Sequence, residues 1–125
     1  MADTVIELGG VRVLLCDANG EKLRSERDAI DIVGAALSER CKLVVLPVER
    51  LDDAFFSLKT RIAGEIIQKF VNYELRLAII GDIARHVEAS TALRDFVFET
   101  NRGNQVWFLA DRAELERRLG AKSPE

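Results

Sequence analysis

The run "KLVVLPV", residues 42–48, narrows most sharply what this chain can become. It is almost unbroken in apolar side chains and too short for a helix of a protein this size, and such a run suits a strand covered on both faces. Two later runs, "LRLAIIGD" at 75–82 and "QVWFLAD" at 105–111, read as strands too, and a helical pattern precedes each of the three. Strands alternating with helices imply right-handed crossovers, hence a sheet that is mainly parallel. The start differs. "TVIEL" and "VRVLLC" flank Gly9-Gly10, and glycine accepts the positive φ of a tight turn, so these two runs should pair as an antiparallel hairpin.

The helices have their own signals. Ser25 opens "SERD", where Asp28 can serve as the reciprocal carboxylate of a capping box, and Ala29, Ile32, Val33, Ala36 and Leu37 form one buried stripe in a helix reaching about Glu39. In "DDAFFSLKTRIAGEIIQKF", residues 52–70, Asp52 or Asp53 is the expected N-cap of a long helix, with Phe55, Ile62, Ile66 and Phe70 on its apolar side. Phe55 and Phe56 are consecutive, so they point apart and both need cover, one of them from another protein if not from this chain. Gly64 costs a helix about 1 kcal/mol against alanine, and it suggests either close packing on a neighbour, the expected reason, or a backbone patch left open for a ligand or partner. Ser90 starts a further helix that stops before Gly103, and Asp111 caps a last one closed by Gly120. The expectation is one α/β domain over residues 1–120 with about four helices and a mixed, mostly parallel sheet, followed by a tail at 121–125.

Hydrophobic residues at 48% beside charged residues at 31% describe an ordinary globular chain of 125 residues. A net charge of -3 gives no broad basic surface for phosphates, so no nucleic-acid partner is expected. No apolar stretch reaches about 18 residues and "MADTVIELGG" has no leader pattern, which points to a cytoplasmic protein without a membrane partner. Cys16 and Cys41 lack metal-ligand spacing and read as buried thiols, and neither a metal centre nor a cofactor is expected.

Three- and four-residue steps set Ser57, Arg61, Gly64 or Glu65, Gln68 and Asn72 along one side of the central helix. That side is either a binding edge or a solvated face with pairs such as Arg61 and Glu65, each worth about 0.2–0.5 kcal/mol. Asp17, Glu49, Asp82 and Asp111 fall at strand ends, where ligands of parallel sheets collect, and convergent carboxylates there would suit magnesium-dependent phosphoryl transfer or hydrolysis. Turn and cap roles account for Asp17 and Asp111, a polar loop accounts for Glu49, and Asp82 has no ready structural role. Arg102 beside Gly103 offers an anion site, although a glycine after a helix is first a C-cap. The lone His86 reads as a solvent-facing loop residue, and Trp107 and Phe108 as core. There is no G-x-G-x-x-G, Walker loop or H-E-x-x-H.

The stretches "FFSLKTRIAGEIIQKFVNYELRLAIIGD" and "LRDFVFETNRGNQVWFL" resemble bacterial proteins of the domain-of-unknown-function family 4180, over about Val11 to Leu119. The shared motifs include Ala63-Gly64-Glu65, Gln68-Lys69-Phe70, Gly81-Asp82 and Glu99-Thr100-Asn101. The order of elements is also similar to the STAS fold of sulfate transporters and anti-sigma-factor antagonists. That likeness implies a regulatory phosphoacceptor in the turn entering the central helix, which would be Ser57 or Thr60, although the Asp-Ser-Ser-Gly signature of that turn is absent. The expected function is a non-enzymatic regulatory or protein-interaction module using Ser57, Thr60, Arg61, Glu65, Gln68 and Asn72 on another protein, with self-association open. A small metal-dependent enzyme using the strand-end carboxylates is the alternative.

Overall fold

The structure, a computed structural model, describes residues 3–121. Five strands form one sheet in the order β1 (Thr4–Leu8), β2 (Val11–Leu15), β3 (Leu43–Pro47), β4 (Arg76–Ile80) and β5 (Val106–Leu109). β1 and β2 are antiparallel, and the remaining neighbours are parallel, so the expected mixed sheet with an opening hairpin is present. Gly9 and Gly10 make the two-residue turn at φ 54° and 81°, and Leu8 pairs with Val11 across it. Five α-helices accompany the sheet: α1 (Glu26–Ser38), α2 (Ile62–Asn72), α3 (Ala84–Ala89), α4 (Thr91–Asn101) and α5 (Arg112–Ala121). The short α3 is additional to the expected four. α5 continues one residue beyond Gly120, and the rest of the expected tail, from 122, lies outside the described residues.

Alternation along the strands divides the interior in two. Val44, Leu46, Leu77, Ile79, Val106 and Phe108 face α1, α2 and α4, which supply Ala29, Ile32, Ile66, Phe70 and Leu93. Leu43, Val45, Ala78, Trp107 and Leu109 face the other way, against Leu115 and Leu119 of α5. This is why the central runs are almost wholly apolar: both faces of the sheet are covered there. Trp107 is held by a hydrogen bond from Nε1 to the Gly103 carbonyl at 2.8 Å, with the guanidinium groups of Arg76 and Arg118 4.8 and 4.3 Å from its ring centre.

Two sheet features limit where other groups can go. Gln105 and Leu109 turn their carbonyls to β4, so the intervening Phe108 turns its polar groups outward, where the Asn101 side chain meets both. The Asn101 amide donates to the Phe108 carbonyl at 3.1 Å and its oxygen accepts from the Phe108 N–H at 2.6 Å. Just past the C-terminal end of β4, Gly81 has φ 145°, and a Cβ there would collide with Val48 Cγ2.

Local details differ from expectation at three places. Leu37 is 45% exposed, outside the buried stripe of α1. Ser25 makes no side-chain cap, while Asp28 Oδ2 accepts from the Arg24 N–H at 2.8 Å, so the carboxylate half of a capping box is present one residue early. The central helix does not begin at Asp52 or Asp53. Residues Asp53–Phe56 and Leu58–Thr60 form 3-10 turns, and α2 starts only at Ile62. The Thr60 hydroxyl shares its proton between the carbonyls of Ala54 and Ser57, both at 2.8 Å, and accepts from the Ile62 N–H at 3.2 Å. Those bonds tighten the chain into three-residue turns and hand it to α2 through Arg61 at φ 67°. Because its backbone angle and the Val48 contact act together, Gly81→Ala should lower stability by roughly 2–4 kcal/mol in urea unfolding.

Candidate functional site

Beside the start of α2 lies a groove of about 600 Å³. Gly64, Glu65 and Gln68 line it from α2, Arg61 from the position before that helix, Leu58 from the preceding turn and Phe96 from α4. Gly64 has open space where its side chain would be, with nothing within 4 Å of an added Cβ. The expected tight packing at Gly64 is therefore absent, and the helix surface there is bare backbone. Arg61 enters the groove from a left-handed conformation, which costs a non-glycine residue about 1–2 kcal/mol. Two positions that local stability would not favour thus fall in one groove. At its edge Lys69 Nζ meets Glu26 Oε1 at 2.9 Å, and that bond raises the Lys69 ammonium pKa.

Of the residues that the sequence assigned to a binding edge, Arg61, Glu65 and Gln68 come together in this groove. Asn72 adjoins them by accepting a hydrogen bond from Gln68 Nε2 at 2.8 Å. Ser57 lines a separate cavity with Phe56, Arg85 and His86, and the Thr60 hydroxyl is engaged in the turn that starts α2. Asp82 and Arg102 are not brought together, since Asp82 follows β4 and Arg102 precedes β5, at opposite ends of the sheet.

The strand-end carboxylates have local partners. Asp82 Oδ1 accepts from the Ala84 N–H at 2.9 Å, which supplies the structural role that the sequence did not reveal. Asp17 Oδ1 accepts from the Asn19 N–H and Asp111 Oδ1 from the Glu114 N–H. Among the described residues, no three histidine, cysteine or acidic side chains are grouped so as to hold a metal ion. Arg102 is paired with Glu99 at 3.5 Å.

His86 is a correction. It lies in α3, not in a loop, and its ring stacks on Phe56 with centres 4.1 Å apart and planes 14° from parallel. Burial lowers its pKa below the usual 6.5, Arg85 adds to this, and Asp53 at 3.9 Å opposes it. Phe55 and Phe56 are both buried by this chain, packed edge to face at 5.0 Å, so neither is free for a partner. Sequence reasoning missed the Phe56 and His86 pair because the two are thirty residues apart and α3 is too short for a periodic signal. The two cysteines are buried and unpaired, and the Cys16 thiol is pushed up to about 12, mainly by burial with a contribution from Asp3. No helix among the described residues is long and apolar enough to cross a membrane.

The fold defines a single-sheet α/β protein with helices on both faces and sequentially ordered strands. The chain belongs to the family described as Domain of unknown function (DUF4180), whose model matches residues 8–119. No curated protein and no solved structure matches it.

Gly64→Ala should raise stability by about 1 kcal/mol, since the methyl meets open space and the helix gains propensity. Thermal unfolding checks this, and a lower melting temperature would contradict the open groove. For His86 the unfolded chain takes up a proton near pH 6.5 and the folded chain only at lower pH. Its contribution is therefore complete above pH 6.5 and is lost as pH falls through that value toward the folded pKa. Urea unfolding of His86→Gln between pH 7 and 5 should show a shallower decline in stability than the parent.

Proposed function

We propose that the chain is a non-enzymatic, regulatory protein-interaction module of the cytoplasm, and that the α2 groove receives a segment of another protein. The observation that carries this reading is the bare backbone at Gly64 in a groove of about 600 Å³, a size within the range of ligand-binding clefts. A glycine at a solvent-facing helix position sacrifices helix propensity, and here no neighbour within the fold takes up the space. An approaching chain would gain close contact with the α2 backbone, apolar contact with Leu58 and Phe96, and polar contacts from Arg61, Glu65 and Gln68. The buried, unpaired Cys16 and Cys41 suit a reducing compartment.

The regulatory part of the reading rests on the resemblance to STAS domains, and the turn bearing Ser57 and Thr60 is where such control would act. Thr60 is the less suited of the two, because modification of its hydroxyl would remove the bonds that shape the turn. The strand-end enzyme reading has no comparable feature in its favour, with Asp82, Asp17 and Asp111 each engaged in a cap or turn.

The test begins with affinity capture and mass spectrometry from the native cell, followed by measurement of the purified partner's affinity. Joint substitution of Arg61, Glu65 and Gln68 by alanine should leave the circular dichroism spectrum unchanged and weaken partner binding by at least about tenfold. Undiminished binding by the folded variant would place the interaction elsewhere.

A further inference from the structure

Arg76, the first residue of β4, and Arg118, in the last turn of α5, bring their guanidinium groups to the same indole, 4.8 and 4.3 Å from the centre of the Trp107 ring. Neither belongs to an ion pair among the described residues, whereas exposed arginines such as Arg12, Arg85 and Arg112 each have a carboxylate. Two cations thus stand at one ring with no counter-charge beside them. Each is tied by one bond to the segment that leaves α4: Arg76 Nε donates to the Asn104 carbonyl at 2.9 Å, and Arg118 Nη2 to the Asn101 carbonyl at 2.8 Å. A guanidinium carries five N–H donors, so most of each group is left without a protein acceptor.

Arg76 Nη2 is the sharpest case. Among the described residues it is the one buried side-chain nitrogen or oxygen that has no hydrogen-bond partner. A charged donor closed off from water and met by no acceptor bears its desolvation cost, and the indole face returns part of that without a directed bond. Burial accordingly lowers the Arg76 pKa. The more deeply buried Arg50 differs, because two carbonyls and the Asp3 carboxylate receive its donors.

We infer that Arg76 and Arg118 grip a small oxyanion, the carboxylate or phosphate group of a small molecule, beside the Trp107 ring. Arginine meets such groups with a fork of parallel N–H bonds, and the anion supplies both the missing charge and the missing acceptors. The two guanidinium carbons are no farther apart than the sum of their distances to the ring centre, a gap that one forked anion can bridge. Both side chains are only half buried, so their outer N–H groups remain open to an arriving ligand. Half-buried donors set against a ring admit a group of a few atoms rather than a broad polyanionic surface. This site uses none of the residues of the α2 groove and needs no part of that reading.

Trp107 is the only tryptophan of the chain, so its fluorescence reports on the site directly. Titrated at constant ionic strength, sodium phosphate or sodium acetate should change the emission along a saturating curve, with half-saturation at millimolar concentration or below, and sodium chloride should not. Saturation by phosphate alone assigns a phosphoryl group as the ligand, and saturation by acetate alone assigns a carboxylate. Arg76→Gln and Arg118→Gln should each weaken the saturable response by about tenfold or more. Arg118→Lys keeps the charge and a donor for the Asn101 carbonyl but loses the fork, and it should weaken the response as well. Thermal unfolding verifies that the variants remain folded, and the effective oxyanion should raise the melting temperature of the parent more than that of Arg118→Lys. A response that does not saturate, one that chloride reproduces, or saturation unchanged in both Arg118 variants would overturn the inference.

Discussion

The guanidinium of Arg50, the one buried charged side chain among the described residues, fastens the parts of the chain that meet beyond the strand ends. Its Nε donates to the Glu21 carbonyl at 2.5 Å, and its Nη1 donates to the Asp17 carbonyl at 3.0 Å and pairs with Asp3 Oδ1 at 3.3 Å. The same Asp3 oxygen accepts from the Asp17 N–H, and the Arg50 carbonyl accepts from the Leu23 N–H. One residue thus joins the entry to β1, the loop between β2 and α1, and the exit from β3. A buried cation is tolerable only when its donors are met, and here the partners come from two segments, the residue before β1 and the loop between β2 and α1. Gly20 belongs to the same constraint, since a Cβ there would lie 2.5 Å from Arg50 Nη1. Everything after β3, including the 3-10 turns and the placement of α2, departs from this fixed point.

The parts of the fold visible in the sequence are those governed by short-range chemistry. The apolar run at 43–47 could only be a doubly covered strand, Gly9-Gly10 could only be a tight turn, and Ser90 caps α4 as expected by accepting from the Leu93 N–H. The beginning of α2 was not visible because 3-10 turns place apolar residues at three-residue steps, as in Phe55 and Leu58, and a helix uses the same step. What separates them is the Thr60 hydroxyl bonding two carbonyls, together with Arg61 at positive φ, and neither follows from residue type. The candidate site was legible in part for the same reason. Helical spacing correctly gathered Arg61, Glu65 and Gln68, while the space above Gly64 depends on how far α1 and α4 stand from α2. Arg50 was missed because a lone arginine after a strand has no local mark of burial.

Neither site proposed for binding lies beyond the carboxyl ends of the strands, where parallel sheets more often collect ligands. Those ends are already occupied by local bonds: Asp17, Asp82 and Asp111 cap or turn the backbone, and Arg50 fills the space between β1 and β3. α4 shows how one helix divides its faces. Leu93 is buried in the core, Phe96 reaches the α2 groove, and Phe98 faces solvent.

The Asn101 side chain also blunts the β5 margin of the sheet at Phe108. An amide carries one donor and one acceptor at nearly the spacing of a peptide unit, so Asn101 imitates a single residue of a sixth strand and then stops, being attached to a helix. A polypeptide seeking to extend the sheet at that margin finds the Phe108 groups already satisfied. Runaway polymerisation by strand stacking needs two open margins, one to receive and one to be received. With both Phe108 groups met by one side chain, the β5 margin offers an approaching strand nothing to bond at that residue.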